Sequence, residues 1–439
     1  MRWRENGELT FTRRNLLYAG GAFGAGAILA AGLAPSAIAQ ANAWPDITAL
    51  CDRYVSRMKV ANMVAVMGWG QSPPETIARG ALTLGAPDPA GADSLYRIYS
   101  MTKPVTGMAV MMLIDEGLIA LDQPLAEILP KFADMKVQKI YDGGIMPDDL
   151  EPAKQPITFR HLLTHTAGLG YTIIQKGPIR KAYEAAGLVP GQVSRLPVTQ
   201  IFGGGETVRS LELFADRLAE MPLVAQPGTR WSYSVAMDLL GRVIEVVSGQ
   251  GFAEFLQEKL FDPIGMTSTW FEVPASETGR LTTNYFVMND LLLPVDPPTY
   301  SVFSQPPAFP FGGAGLVSSP RDYDRFLQML AGYGEVEGRR VMSERAVRTG
   351  TSNLLPEGVS TKGTFADGAG FGAAGRVGLG DEAGTYGWAG AAGTTGFVDM
   401  KRGLRAAVYT QYMPASAYNI TREFAEAVKH DLQQMRAAA

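Results

Sequence analysis

Two Ser-x-x-Lys tetrads stand in the chain, Ser56–Lys59 and Ser100–Lys103. On a helix, a spacing of three residues puts hydroxyl and ammonium on one face. An amine so placed can take up the serine proton and leave a nucleophilic oxygen. Other catalytic signatures are missing: there is no Gly-x-Ser-x-Gly elbow, no His-Glu-x-x-His and no phosphate-binding Gly-rich loop ending in Lys. Only three histidines occur, and His161, His165 and His430 read as helix-packing or capping residues. A base other than histidine is therefore expected, and a histidine-ligated zinc site is improbable. One cysteine, Cys51, permits neither an internal disulfide nor a cysteine-based metal cluster.

The surroundings separate the two tetrads. Ser56–Lys59 lies among Arg53 and Arg57 and reads as a solvated helix face. Ser100–Lys103 is followed by Pro104, which has no N–H to donate to the Ser100 carbonyl, so a helix must start close to the serine. There the free N–H groups and the dipole favour negative charge developing on the oxygen. Lys103 falls one turn in, among Met, Val and Ala, where a desolvated amine can accept or relay a proton.

The elements that must position this pair follow from periodicity. Val105, Met108, Ala109, Met112 and Leu113 recur at helical spacing after Lys103, and Gly117 can end that helix. Before it, the pattern predicts a helix over 48–59 and strands over 63–69 and 76–82. Residues 118–227 read as short helices and loops without strands. Trp231–Val247 reads as a helix, 396–400 and 405–412 as strands, and 420–435 as an amphipathic helix. Strands at both ends with helices between predict an α/β (α+β) fold. An antiparallel sheet would be flanked by N- and C-terminal helices. An α/β domain would comprise residues 44–117 and 228–439, with a mainly helical domain, 118–227, inserted.

Four segments together resemble the superfamily of penicillin-binding proteins and class C β-lactamases. They are Ser100-Met101-Thr102-Lys103, the stretch Ile157 to Leu169 containing His161-Leu162-Leu163-Thr164-His165-Thr166, Tyr233-Ser234-Val235, and Gly312 to Ser319. The Tyr-Ser-Val form and Trp388-Ala389-Gly390 are similar to the family VIII carboxylesterases. The resemblance implies a β-lactamase-like fold, Ser100 as nucleophile, and Lys103 with Tyr233 as the proton-transfer pair. Which of the two takes the serine proton first stays open, because they would titrate as a unit. A tyrosine acts as base only beside cations that favour phenolate, and without the resemblance Tyr233 would read as an aromatic opening a helix. The resemblance also implies an oxyanion hole from the backbone N–H groups of Ser100 and Ala391.

Departures from the β-lactamase pattern bear on substrate. Val235 stands where that pattern has Asn, and Trp388 where it has the Lys of Lys-Thr/Ser-Gly; Thr361-Lys362-Gly363 has the wrong order. Replacing a cation by an apolar ring removes the partner of a β-lactam or peptide carboxylate and suits neutral esters. Trp388, Gly390, Phe311 and Tyr171 are the expected substrate-binding residues. The resulting expectation is a serine carboxylesterase that hydrolyses or transesterifies neutral short-chain esters through an acyl-enzyme, with no cofactor and no metal. The alternatives are a β-lactamase or D-Ala-D-Ala carboxypeptidase, and an inactive envelope protein that binds a partner.

Composition limits the remaining classes. The 439 residues supply apolar surface for a sizeable core, being 46% hydrophobic. Thirty-nine Lys and Arg against 43 Asp and Glu give a charge of −4 without basic runs, so no nucleic-acid partner is expected. Between Arg14 and Asp46 no charge occurs. Arg13-Arg14, the Ala- and Gly-rich run and Ala37-Ile38-Ala39 resemble a twin-arginine export signal over residues 1–43, predicting a periplasmic protein with no stable membrane span. A membrane-anchored or cytoplasmic location is the alternative.

Overall fold

The computed structural model describes residues 43–196 and 206–438; the export-signal expectation falls, apart from Ala43, outside them. Helix α1 (Pro45–Ser56) opens on a proline, whose missing N–H is harmless at that position, and buries Ile47, Leu50, Cys51 and Tyr54. It begins before the expected Thr48 because the Asp431 carboxylate, from the far end of the chain, accepts the N–H groups of Asp46 and Ile47 at 2.9 and 3.1 Å. It ends before Lys59 because Met58 turns to a left-handed φ of 53°. Strands β1 (Asn62–Trp69) and β2 (Glu75–Gly80) follow as an antiparallel pair.

Helix α2 (Thr102–Asp115) carries Lys103 and is the central helix of the molecule. Sequence spacing suggested one apolar stripe, but every residue from Thr102 to Leu113 is buried. Each fully buried Met, Val or Leu contributes about 1.5–3 kcal/mol, so this helix anchors the core. Residues 118–227 hold helices α3 (Phe159–Leu163), α4 (Gly177–Ala185) and α5 (Leu211–Ala219). They also hold two three-residue strands, Lys136–Gln138 and Leu150–Pro152, which pair antiparallel. Strands this short show no alternation, which is why the pattern predicted none there.

Helix α6 (Ala236–Ser248) starts five residues later than the expected Trp231. The Ser232 and Val235 N–H groups instead bond to His165 O (2.9 Å) and Gly170 O (3.2 Å), so the stretch bearing Tyr233 is an irregular tertiary splice. Helix α7 (Pro320–Ala331) is capped by Ser319, whose hydroxyl accepts the Asp322 N–H. Strands β3 (Gly370–Phe371), β4 (Arg376–Val377), β5 (Thr385–Gly390), β6 (Thr394–Asp399) and β7 (Leu404–Tyr409) precede the long helix α8 (Ile420–Ala438).

The main sheet has seven strands in the order β3-β4-β5-β6-β7-β1-β2, all antiparallel. The first and last strands of this sheet in chain order thus pair directly, with Val64 opposite Tyr409. Along β1, Met63, Ala65 and Met67 pack with α1 and α8 on one face, while Val64 and Val66 join the core around α2 on the other. Both faces are covered, so β1 reads as a continuous apolar run. The antiparallel sheet flanked by N- and C-terminal helices is as predicted, with both terminal helices on one face; the helices of residues 118–227 share the larger core cluster on the other. Among the described residues no helix is long and apolar enough to cross a membrane.

Candidate active site

The approach to Ser100 is constrained. Tyr99 adopts a φ of 41°, and residues Tyr99–Met101 form a 3-10 turn leading into α2. The serine therefore stands just before the N-terminus of a buried helix, as Pro104 predicted. The turn is fixed from outside: Ile98 N–H donates to Leu316 O (3.1 Å), Leu316 N–H donates to Thr102 Oγ1 (3.1 Å), and Tyr323 OH donates to Met101 O (3.1 Å).

Three side chains distant in sequence converge here. Lys103 Nζ donates to Ser100 Oγ at 3.2 Å and to Gly313 O at 2.5 Å. Tyr233 OH lies 2.9 Å from Ser100 Oγ, positioned to exchange a proton with it. The ammonium also sits 4.6 Å from the centre of the Tyr233 ring. Lys103 and Tyr233 are 1% and 5% exposed, while Ser100 is half-buried and reachable. A serine oxygen within hydrogen-bond distance of a lysine nitrogen and a tyrosine oxygen can give up its proton when one of the two is in its deprotonated form, and the other offers a route for passing it on.

The expected substrate-binding residues are placed differently from one another. Trp388 is fully buried, and its indole N–H donates to Tyr233 OH at 3.3 Å. It acts on the tyrosine rather than as an open wall. Gly390 ends β5 against the serine turn: a Cβ there would lie 2.4 Å from Ile98 O and 2.2 Å from Thr394 Oγ1. That close approach brings the turn bearing Ala391 beside the entry to Ser100. Tyr171 is buried, 5.8 Å from the Tyr233 ring and 6.0 Å from the Lys103 ammonium. Phe311 is buried edge-on against Phe309 at 4.5 Å, in the core. The remaining Ser-x-x-Lys tetrad is split, with Ser56 closing α1 and Lys59 paired to Asp290 at 2.6 Å.

The open cavity beside Tyr233, about 400 Å³, has other walls. Tyr141, Trp231, Tyr233 and Phe365 supply aromatic surface, with Arg230 stacked on Tyr141 at 3.9 Å. None of the four expected binding residues is among its lining residues. Phe365 was missed because its loop, 363–368, reads as a featureless Gly-rich connection; only folding lays it 5.1 Å from the Tyr233 ring.

Asp238 was missed as well. It is buried in the first turn of α6, and its carboxylate accepts the Gly313 N–H at 3.1 Å. Burial pushes its pKa up to about 6, opposed by the nearby Lys103 ammonium and by that N–H. A Cβ on Gly313 would fall 2.9 Å from Asp238 Oδ2 and 3.3 Å from Lys103 Nζ, so a larger residue there would displace the two charged groups from their present positions. The signal available in the sequence was an Asp five residues after Tyr233, too common to stand out. Among the described residues, no cluster of His, Cys, Asp or Glu could hold a metal ion.

With the geometry in place, comparison with known proteins identifies the lineage. Protein Rv1367c of Mycobacterium tuberculosis is 38% identical over 272 residues, 61% of this chain and 62% of that relative's length. Esterase EstB of Burkholderia gladioli is 30% identical over 389 residues, covering 83% of this chain and 89% of EstB. The structure resembles that of EstCE1, described as a hydrolase with promiscuous acyltransferase activity. That likeness has a TM-score of 0.70 at 22% identity, over 88% of this chain and 98% of EstCE1. Unliganded simvastatin synthase (LovD) of Aspergillus terreus gives 0.69 at 22% identity, over 90% of this chain and all of LovD. Because the Beta-lactamase family model matches residues 64–429, most of the chain, the protein belongs to the Beta-lactamase family.

Proposed function

We propose that this protein is a serine carboxylesterase, hydrolysing or transesterifying neutral short-chain esters through an acyl-enzyme on Ser100. The observation that carries the reading is the contact of Ser100 Oγ with both Lys103 Nζ and Tyr233 OH. In the proposed cycle, Ser100 Oγ attacks the ester carbonyl and its proton passes to the Lys103/Tyr233 pair. The same pair protonates the departing alkoxide. Water or a second alcohol, deprotonated by the pair, then releases the acyl group and returns the proton to Ser100. Backbone N–H groups of Ser100 and Ala391 are the proposed donors to the tetrahedral oxyanion, each worth a few kcal/mol.

Two features support an ester over a β-lactam or peptide substrate. By the motif resemblance Trp388 stands where β-lactamases carry a carboxylate-binding cation, and the cavity beside Tyr233 presents four aromatic rings together with Arg230 and Asp367. The relative EstB is named as an esterase. Turnover of p-nitrophenyl butyrate should be fast and that of a chromogenic cephalosporin slow. Ser100→Ala should lower ester turnover by a factor on the order of 10⁴ or more, and a fluorophosphonate probe should label the peptide carrying Ser100. Retained hydrolysis in Ser100→Ala would refute the assignment, and the reverse substrate order would make the protein a β-lactam hydrolase. Export to the periplasm is proposed from the sequence pattern over residues 1–43; N-terminal sequencing of protein recovered from that compartment tests it.

A further inference from the structure

We propose that His165 is a positioning residue for Tyr233, clamping the tyrosine from both sides along the chain. The proposal rests on the proposed function, because it assigns a role in holding the tyrosine of that site. The carbonyl oxygen of His165 accepts the N–H of Ser232, at 2.9 Å. Its Nδ1 lies 3.3 Å from the Ser234 N–H and 2.9 Å from Ser234 Oγ. One residue thus binds the neighbours of Tyr233 before and after it, and its ring packs 4.7 Å from the Tyr233 ring.

The hydrogen bonds determine the form of the imidazole. Ser234 N–H can only donate, so Nδ1 is an acceptor and the ring proton sits on Nε2. Ser234 Oγ, which accepts the Ala236 N–H at 3.4 Å, completes the set by donating its own proton to Nδ1. Nε2 is buried without a hydrogen-bond partner among the described residues, in surroundings that include the rings of Tyr233, Trp231 and Phe371. The backbone of His165 stands at a left-handed φ of 56°, a conformation that persists in a non-glycine residue only where surrounding contacts hold it. His161, in the same stretch, differs: its Nδ1 accepts the Thr158 N–H in a local capping box, which accounts for it.

The clamp acts where precision counts. Tyr233 precedes the start of α6, so no helical hydrogen bonds fix it, and its OH must stay within reach of Ser100 Oγ, Lys103 being on another element. Holding residues 232 and 234 to one anchor restricts the backbone on both sides of the phenol. Misplacing such a group by about 1 Å costs on the order of 10²-fold in rate.

Asparagine and glycine both tolerate a left-handed backbone, but only asparagine offers an oxygen where Nδ1 stands. His165→Asn should keep kcat on p-nitrophenyl butyrate within about threefold of the parent. His165→Gly should lower kcat by roughly 10–100-fold with KM little changed, at temperatures where circular dichroism shows both variants folded. In a Tyr233→Phe background, His165→Gly should add little further loss in the rate of fluorophosphonate labelling. The proposal is overturned if His165→Gly retains parental kcat, if Asn and Gly variants lose equally, or if the Gly variant slows labelling by the same factor without the Tyr233 hydroxyl. Tyr233→Phe alone separates the two failures. If it turns over at the parental rate, the tyrosine's catalytic role falls and the clamp with it. If it is slow while His165→Gly is fast, only the clamp falls.

Discussion

At the scale of residues, the charged groups of the site, Lys103 and Asp238, are buried behind a reachable serine. Lys103 lies between the serine oxygen and Gly313 O, and Asp238 stands across the glycine from it. Removing a carboxylate from water disfavours its charge, hence the rise of the Asp238 pKa to about 6. The consequence for stability has a definite sign. Between the unfolded value of 3.8 and about 6 the folded protein holds this proton and the unfolded chain does not. Stability therefore declines as pH rises through that window, by up to about 1.4 kcal/mol per pH unit. His165 works oppositely: burial and the Lys103 charge hold its pKa well below 6.5, so its contribution is full above that value and is lost as pH falls. Below about pH 6, where the two windows overlap, the slopes oppose each other. Asp238→Asn removes one of them, so the variant should lose stability toward acid more steeply than the parent over this interval, as read from denaturation midpoints at each pH. Parallel curves would refute the assignment of the proton to Asp238.

At the scale of elements, the serine turn is held by parts that share no local sequence with it. Helix α7 touches it through Tyr323, and α7 is in turn fastened to β7 by a buried pair. Arg405 Nε and Nη2 donate to the two Asp324 oxygens at 2.9 and 3.0 Å, both side chains almost fully enclosed. Arg405 also donates to the carbonyls of Gly70 and Ser72, the latter at 3.1 Å, linking the helix to the turn between β1 and β2. Breaking such a pair leaves a buried charge uncompensated, which costs roughly 3–5 kcal/mol. Asp324→Ala should accordingly lower the unfolding temperature strongly, whereas Asp324→Ala with Arg405→Met should recover part of the loss. A single variant as stable as the parent would mean water reaches the guanidinium. Legibility at this scale was uneven. Helix α2 was readable because its signal is contiguous, while the start of α6 was misplaced by five residues because tertiary partners claimed the N–H groups of Ser232 and Val235.

At the scale of the whole molecule, the sheet divides two cores with different duties. One packs α1 and α8 on β1, β6 and β7; the other surrounds α2 and the site. Phe424 of α8 lies in the first, fully buried and 6.4 Å from Phe397 of β6. Phe424→Ala should cost about 3–5 kcal/mol, seen as faster thermal inactivation, while kcat per fluorophosphonate-titrated site stays near the parental value. A large fall in kcat per titrated site would show that the two cores are not separable. The sequence by itself determined whatever depends on near neighbours. A three-residue interval before Pro104 became Ser100 in the turn that leads into α2 and Lys103 in the first turn of that helix, and the apolar run over 63–69 became a strand covered on both faces. Motif order also carried the family and, through resemblance, Tyr233. Only the tertiary structure decided that the tyrosine hydroxyl meets a serine 133 residues away, that Trp388 serves the tyrosine rather than an open wall, and that Asp238, Gly313 and His165 belong to the site. The reason is physical. Local spacing is preserved by the helix that forms from it, whereas contacts between distant segments depend on how buried surfaces and unsatisfied backbone groups find partners, and no interval along the chain encodes those distances.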